Sequence, residues 1–220
     1  IGFSLGKALV SYALLHGIKR IYLEGNTRLI SSIHLYRKLG FLEIPMSGIA
    51  YKRCDILMEL ILPTIRFIKK KDQVAMAELI RQVFVEYSVP QVNTVYDDPQ
   101  TYHIAEIMVH KKAGYWVIDR DGMIGGGCGF YPTEGLPEGY AELVKFYLSP
   151  EMRGAGIGSN LFKYIIDKAR QAGYKHLYIE SFPEFKSAIS MYERNGFRYL
   201  SHRLGQSGHT ATTIHMIFDL

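Results

Sequence analysis

Cysteine is scarce in this chain: there are two, Cys54 and Cys128, far apart. They cannot build a disulfide framework, and their separation is not that of metal ligands, so no metal is expected. A reducing, cytoplasmic setting is the expectation. No apolar run approaches the roughly 20 residues of a membrane helix, which excludes a spanning segment. Low-complexity tracts are missing, which excludes wholesale disorder. A basic stripe is missing too. The net charge of +5 is dispersed; it suits anionic ligands mildly and gives no reason to expect nucleic acid. No secretory pattern opens the sequence, and its first residue is Ile1, so a chain processed, cut or incompletely recorded at its N-terminus is expected. What is there is ordinary globular composition: 220 residues, 48% hydrophobic and 21% charged, enough for one large or two modest domains.

The chain repeats itself. Shifted by 156 positions, residues 1–41 align without a gap on 157–197, with about a third identical. Ile1 and Gly2 fall on Ile157 and Gly158, Tyr22 and Glu24 on Tyr178 and Glu180, Tyr36, Gly40 and Phe41 on Tyr192, Gly196 and Phe197. The stretch 55–60 also resembles 214–220 in kind. Residues 1–62 are therefore read as the C-terminal half of a unit and 63–220 as a whole one, with Pro63 at the joint. A complete first unit would place about 90 further residues ahead of Ile1. The half unit would bare a sheet edge. It is expected to dock on 63–220, on its own missing half, or on a second copy as a homodimer.

Periodicity predicts the elements of the longer unit. A short strand at 65–68 precedes a helix capped by Asp72, with Met76, Leu79, Ile80, Val83 and Phe84 at helical spacing. Residues 88–100 read as loop and 101–110 as a short helix. A strand at 115–118, a turn at Asp121 and Gly122, and a Gly-rich, irregular partner at 123–131 follow. A long strand fills 140–148. Beyond it come a helix ending at Gly173, a strand at 176–180, a helix over 186–195, and strands at 199–203 and 213–218. The order is that of a mixed α/β sheet.

Between the long strand and the next helix stands Arg153-Gly154-Ala155-Gly156-Ile157-Gly158. Alternating glycines there expose successive backbone N–H groups in front of a helix dipole, which suits a phosphate or pyrophosphate. The bland alternative is a tight turn. A dinucleotide loop is the other competitor, and Glu180 stands where its ribose-binding acid would. However, the third glycine comes one position early and antiparallel strands precede the loop.

Tyr140-Ala-Glu-Leu-Val-Lys-Phe-Tyr-Leu-Ser-Pro-Glu-Met-Arg-Gly-Ala-Gly-Ile-Gly158 resembles the long strand and acyl-CoA loop of the GNAT N-acetyltransferase superfamily. Its Arg/Gln-x-x-Gly-x-Gly/Ala pattern is met by Arg153, Gly156 and Gly158. A second signature, Ala188-Ile189-Ser190-Met191-Tyr192-Glu193-Arg194-Asn195-Gly196-Phe197, resembles the family's tyrosine helix. The resemblance covers about 64–220. Leu35-Tyr36-Arg37-Lys38-Leu39-Gly40-Phe41 matches the same helix again, but residues 1–62 lack the long strand and the Arg-x-x-Gly part of the loop.

The resemblance implies a GNAT fold, a mixed and mostly antiparallel sheet with flanking helices in partial tandem. It also implies transfer of an acetyl group from acetyl-CoA, as co-substrate, to a primary amine of a small molecule or peptide. Acyl-CoA would be held by Phe146, Tyr147, Leu148, Arg153, Gly154, Ala155, Gly156, Ile157, Gly158 and Ser159, with the Leu148 amide polarising the thioester carbonyl. Glu142 matches the general base, or else is a solvated or salt-bridged strand acid; Glu180 is a second candidate. Tyr192 matches the general acid toward the thiolate, or else is a packed helix tyrosine. Tyr96, Tyr102, His103 and His209 are candidate acceptor contacts, or else loop packing. A different class of function, a non-catalytic acyl-CoA sensor or scaffold, is set against retention of Glu142, Tyr192 and the glycine loop.

Overall fold

The computed structural model describes residues 1–46, 53–154 and 156–220. The first stretch forms α1 (Gly2–Leu15), β1 (Arg20–Gly25), α2 (Ile30–Lys38), β2 (Leu42–Ile44) and β3 (Ile56–Ile61), in a sheet ordered β1-β3-β2. After Pro63 come β4 (Thr64–Phe67), α3 (Gln73–Glu86), α4 (Ile104–Ile107), β5 (Gly114–Arg120), β6 (Met123–Tyr131) and β7 (Tyr140–Leu148). They are followed by α5 (Ile157–Gln171), β8 (His176–Ser181), α6 (Lys186–Arg194), β9 (Arg198–Tyr199) and β10 (Ile214–Asp219). The second sheet is ordered β4-β5-β6-β7-β8-β10-β9. All its pairings are antiparallel except β7–β8, which α5 connects as a crossover.

Alternation along β5 explains the layering. Tyr115 and Val117 point into a core with Met76, Ile80 and Phe84 of α3, while Trp116 and Ile118 point into one with Leu161 and Ile165 of α5. The glycines of β6 make room rather than disorder: a Cβ on Gly127 would lie 2.6 Å from the Tyr115 ring. β6 is a continuous nine-residue strand and irregular as expected: its pairing with β5 skips Gly125, and its pairing with β7 shifts between Gly127 and Gly129.

Three local expectations are corrected. Asp72 does not cap α3 with its side chain; its carboxylate takes the Lys69 N–H at 2.8 Å and the Arg66 guanidinium at 2.6 and 2.9 Å, because a cation is the stronger partner for this buried carboxylate. The 101–110 helix is a 3₁₀ turn, Pro99–His103, running into the four residues of α4. The strand expected at 199–203 shrinks to the two residues of β9, since Leu204 and Arg203 turn inward to side-chain partners.

Residues 1–62 lie against the larger sheet's unit. α1 packs on α5, and its Val10, Ala13 and Leu14 share one buried apolar cluster with Leu161 and Ile165. β1 remains an edge strand, with β3 as its one strand partner among the described residues.

Two features of β7 set the site. It pairs with β8 over Tyr140, Ala141 and Glu142 alone, so the strands part beyond Glu142 and a cleft opens between them. It also bulges: Val144 and Tyr147 pair with Gly129 and Gly127, so two β7 residues oppose one on β6, and Lys145 takes a left-handed φ of 51°.

Candidate active site

The cleft has a volume of 910 Å³ and is continuous from the glycine loop to the far end of β7. Its walls come from β7, the start of α5, the end of β8, α6 and the 206–212 loop.

At the loop end, Gly154 and Gly156 hold φ of 82° and 84°, the left-handed region that glycine enters without penalty. Gly156 stands at the N-cap of α5, so the first N–H groups of a 15-residue helix point out of the loop. A Cβ on Gly154 would meet no protein atom within 4 Å, whereas one on Gly158 would lie 2.7 Å from Leu148 Cδ1. The backbone therefore forms an open cradle for a phosphate, closed behind by packing, and the loop fits the pyrophosphate of an acyl-CoA. Ser159 lines the cleft; the Ile157 side chain turns into the core; Ala155 lies outside the described residues.

Arg153 is not a free cation. Its guanidinium grips Glu86 through two hydrogen bonds of 2.5 and 2.8 Å and donates to the Leu148 carbonyl at 3.0 and 2.8 Å. Tyr87 lies beneath it, with the ring centroid 5.3 Å away. Its side chain ties the loop to α3 and to the end of β7. Phe146 and Tyr147 flank the bulge: Phe146 stacks on Phe162, and Tyr147 packs against Phe84 and Phe185.

Glu142 and Tyr192 line the same cleft. Glu142 is buried, and Thr133 Oγ1 donates to its Oε2 at 2.5 Å. Burial pushes its carboxyl up to about 7, with the Thr133 bond opposing and the nearby Glu180 charge adding to the rise. Tyr192 sits among Phe146, Phe162 and Phe197, and burial holds its hydroxyl far above the ordinary phenol range, so it stays protonated. Among the described residues no hydrogen-bond partner takes that hydroxyl.

Glu180 is placed differently. Ser207 Oγ, Thr212 Oγ1 and Tyr178 OH donate to it at 2.8, 2.9 and 3.0 Å, and Arg203 Nε lies 3.3 Å away. These contacts pin the 203–212 loop to β8.

Of the acceptor candidates, the cleft receives only His209, whose Nε2 lies 3.2 Å from Asp98 Oδ2. Tyr96 lies under the Arg81 guanidinium at 3.9 Å, the Tyr102 hydroxyl donates to Glu78 at 2.6 Å, and exposed His103 pairs with Glu106. These three lie off the cleft wall, held by partners on α3 and α4.

Sequence reasoning missed Thr133, Asp98 and Lys145. Lys145 Nζ, buried at the bulge, donates to Thr101 Oγ1 at 3.3 Å and lies 3.7 Å from Asp98; burial pulls its ammonium below the usual lysine range despite that neighbour. A lysine amid Leu143, Val144, Phe146 and Tyr147 was a signal of irregularity. Thr133 and Asp98 sit in turns and carried none.

Comparison with known proteins agrees with this geometry. Residues 76–197 match the Acetyltransferase (GNAT) family. An uncharacterized N-acetyltransferase of Escherichia coli K12, YjgM, is 31% identical over 159 residues, covering 72% of this chain and 95% of that protein. A GNAT-family acetyltransferase of Staphylococcus aureus Mu50 shares the fold with a TM-score of 0.61 at 17% identity, over 71% of this chain and 98% of that one. The putative acetyltransferase yncA of Salmonella typhimurium, solved with acetyl-CoA, does so with 0.58 at 19% identity, over 71% and 93%. The loop, the parted strands and these likenesses together place the chain in the acetyltransferase (GNAT) family of acyl-CoA-dependent N-acyltransferases.

Proposed function

We propose that the protein transfers an acetyl group from acetyl-CoA to a primary amine, using the cleft of residues 63–220. The observation that carries this reading is that Glu142, Tyr192 and the glycine loop line one continuous cleft. The co-substrate supplies an activated acyl thioester. The loop N–H groups and the α5 dipole hold its phosphates, and the Leu148 amide orients its carbonyl.

Glu142 takes a proton from the amine, directly or through water. A carboxyl near 7 is a weaker base than an amine near 10, so full transfer before attack is uphill. The transfer becomes downhill as the C–N bond forms and the nitrogen loses basicity, which is the behaviour of a general base acting in the transition state. Tyr192 donates toward the sulfur as the C–S bond breaks. A thiol of pKa near 8.5 is the stronger acid, so the phenol stabilises the thiolate by hydrogen bonding and solvent supplies the lasting proton. His209, Asp98 and Lys145 face the amine side, on the wall opposite the loop's end.

We also infer that residues 1–62 are the C-terminal half of a second such unit, docked on the first. Offset by 156, β1 falls on β8 and α2 on α6 end for end, and β1-β3-β2 repeats the order β8-β10-β9. Calorimetric titration with acetyl-CoA tests the function: one site per chain is expected. Absence of binding would overturn it, and two sites would overturn the assignment of 1–62 as lacking a working loop.

A further inference from the structure

The cleft has a wall that its own unit does not supply. Lys7 of α1 lines it together with Gly154, Gly156 and Ser159. Ser11, one turn further along the same helical face, stands over Gly156: a Cβ on that glycine would lie 3.6 Å from its Oγ. The neighbouring face of α1, Val10, Ala13 and Leu14, is buried in the apolar cluster it shares with α5, which fixes how α1 presents positions 7 and 11. Residues 1–62 thus touch the anion cradle of residues 63–220.

Charge gives this contact a purpose. Arg153 is spent on Glu86, and Lys145 on Asp98 and Thr101. Among the described residues no carboxylate lies within ion-pair distance of Lys7, whose ammonium stands 5.0 Å over the Phe3 ring. A half-exposed ammonium at the mouth of a backbone anion cradle, held by a rigid helix, is arranged to meet a negative ligand.

We propose that Lys7, supported by Ser11, binds a phosphate group of acyl-CoA, so that the acyl-CoA site is composite and residues 1–62 complete it. This rests on the functional reading above. The experiment is calorimetric titration of the full chain with acetyl-CoA, 3′-dephospho-acetyl-CoA and acetyl-pantetheine, for wild type and for Lys7→Ala, Lys7→Arg and Lys7→Glu. Lys7→Ala should weaken acetyl-CoA binding about 5- to 20-fold and Lys7→Glu more, while Lys7→Arg stays within about 2-fold and acetyl-pantetheine binds all four alike. The loss should shrink in molar salt, where charge is screened within about 3 Å. Loss confined to the ligand with the 3′-phosphate assigns Lys7 to that group; loss on both nucleotides assigns it to the pyrophosphate. Unchanged acetyl-CoA affinity in Lys7→Ala, or an equal loss on acetyl-pantetheine, would overturn the proposal alone. A wild type that binds no acetyl-CoA would sink the functional reading and this one together.

Discussion

Residues 1–62 and 157–220 carry the same skeleton and a different chemistry. In each, a left-handed glycine closes the second helix, Gly40 with φ of 96° and Gly196 with 94°. In each, the helix tyrosine meets the phenylalanine that follows, Tyr36 with Phe41 at 5.8 Å and Tyr192 with Phe197 at 5.5 Å. Met58 and Met216 are both fully buried. The polar positions part company. Tyr178 is wholly buried, while its mate Tyr22 is 54% exposed. The cause is the neighbouring strand: β8 has β7 on one side, and β1 has none among the described residues. Skeleton residues answer to local helix–strand packing, which both segments have. Glu142 and the parted strands answer to what β7 brings, which only 157–220 has beside it.

The sharpest way to break that contrast is at the glycines. Gly156→Val forces a β-branched residue into the left-handed region at the cradle, and acetyl-CoA binding should fall below detection by calorimetry. Gly40→Val meets the same backbone penalty in residues 1–62, so it should lower the melting temperature yet leave affinity within about 2-fold. Equal loss of binding in both would mean that the shape of the cradle depends on the whole of residues 1–62 and not on the Lys7 contact alone.

Glu142 has no counterpart in residues 1–62. Glu142→Gln should reduce kcat by about 10²- to 10³-fold. The wild-type rate should climb as the pH passes about 7, where the carboxyl ionises, and the variant should lose that limb. Stability should move the other way. The folded-state value lies above the unfolded carboxyl's, so the group's contribution is full at low pH and is lost as the pH rises through about 7. Urea melts should therefore show Glu142→Gln gaining on wild type between pH 4 and pH 8, by at most about 3 kcal/mol.

Tyr192→Phe removes a donor and keeps the ring. It should lower kcat about 10- to 100-fold and change acetyl-CoA affinity less than 2-fold. Tyr36→Phe should change neither. A full-speed Tyr192→Phe enzyme would reduce Tyr192 to the packing role that Tyr36 has.

Legibility in the sequence divides along the same line. The bounds of β7, the loop, α5 and the tyrosine helix could be read because glycines, proline and apolar spacing act within a few residues. So could the offset of 156. The bulge at Lys145 could not, since it depends on how β7 registers with β6. Nor could the partners of Glu142 and Glu180, since Thr133, Arg203, Ser207 and Thr212 come from turns whose paths are set by the whole sheet. Tyr96 and Tyr102 misled because a loop tyrosine's direction is set by the helices it lies against. Lys7 was hidden for the plainest reason: it reaches the cleft from outside residues 63–220, where no motif pointed to it.

The smallest expected effect tests the cause given for the contrast. Tyr178 OH lies 3.0 Å from both Glu180 Oε1 and His215 Nδ1 and accepts the Leu204 N–H at 3.1 Å. One hydroxyl hydrogen serves one acceptor, and the hydroxyl oxygen serves Leu204. Tyr178→Phe leaves that N–H without its partner and takes one donor from Glu180, which keeps Ser207, Thr212 and Arg203. The cost should be about 1–2 kcal/mol, with faster hydrogen exchange at Leu204 and in the 203–212 loop that carries His209. Tyr22→Phe, on an open edge, should stay within about 0.5 kcal/mol of wild type. If the two substitutions cost the same, burial beside β7 is not what separates the two segments. If only Tyr178→Phe softens the loop, the hydrogen bonds of Tyr178 with Glu180 and Leu204 are what hold the amine side of the cleft in shape.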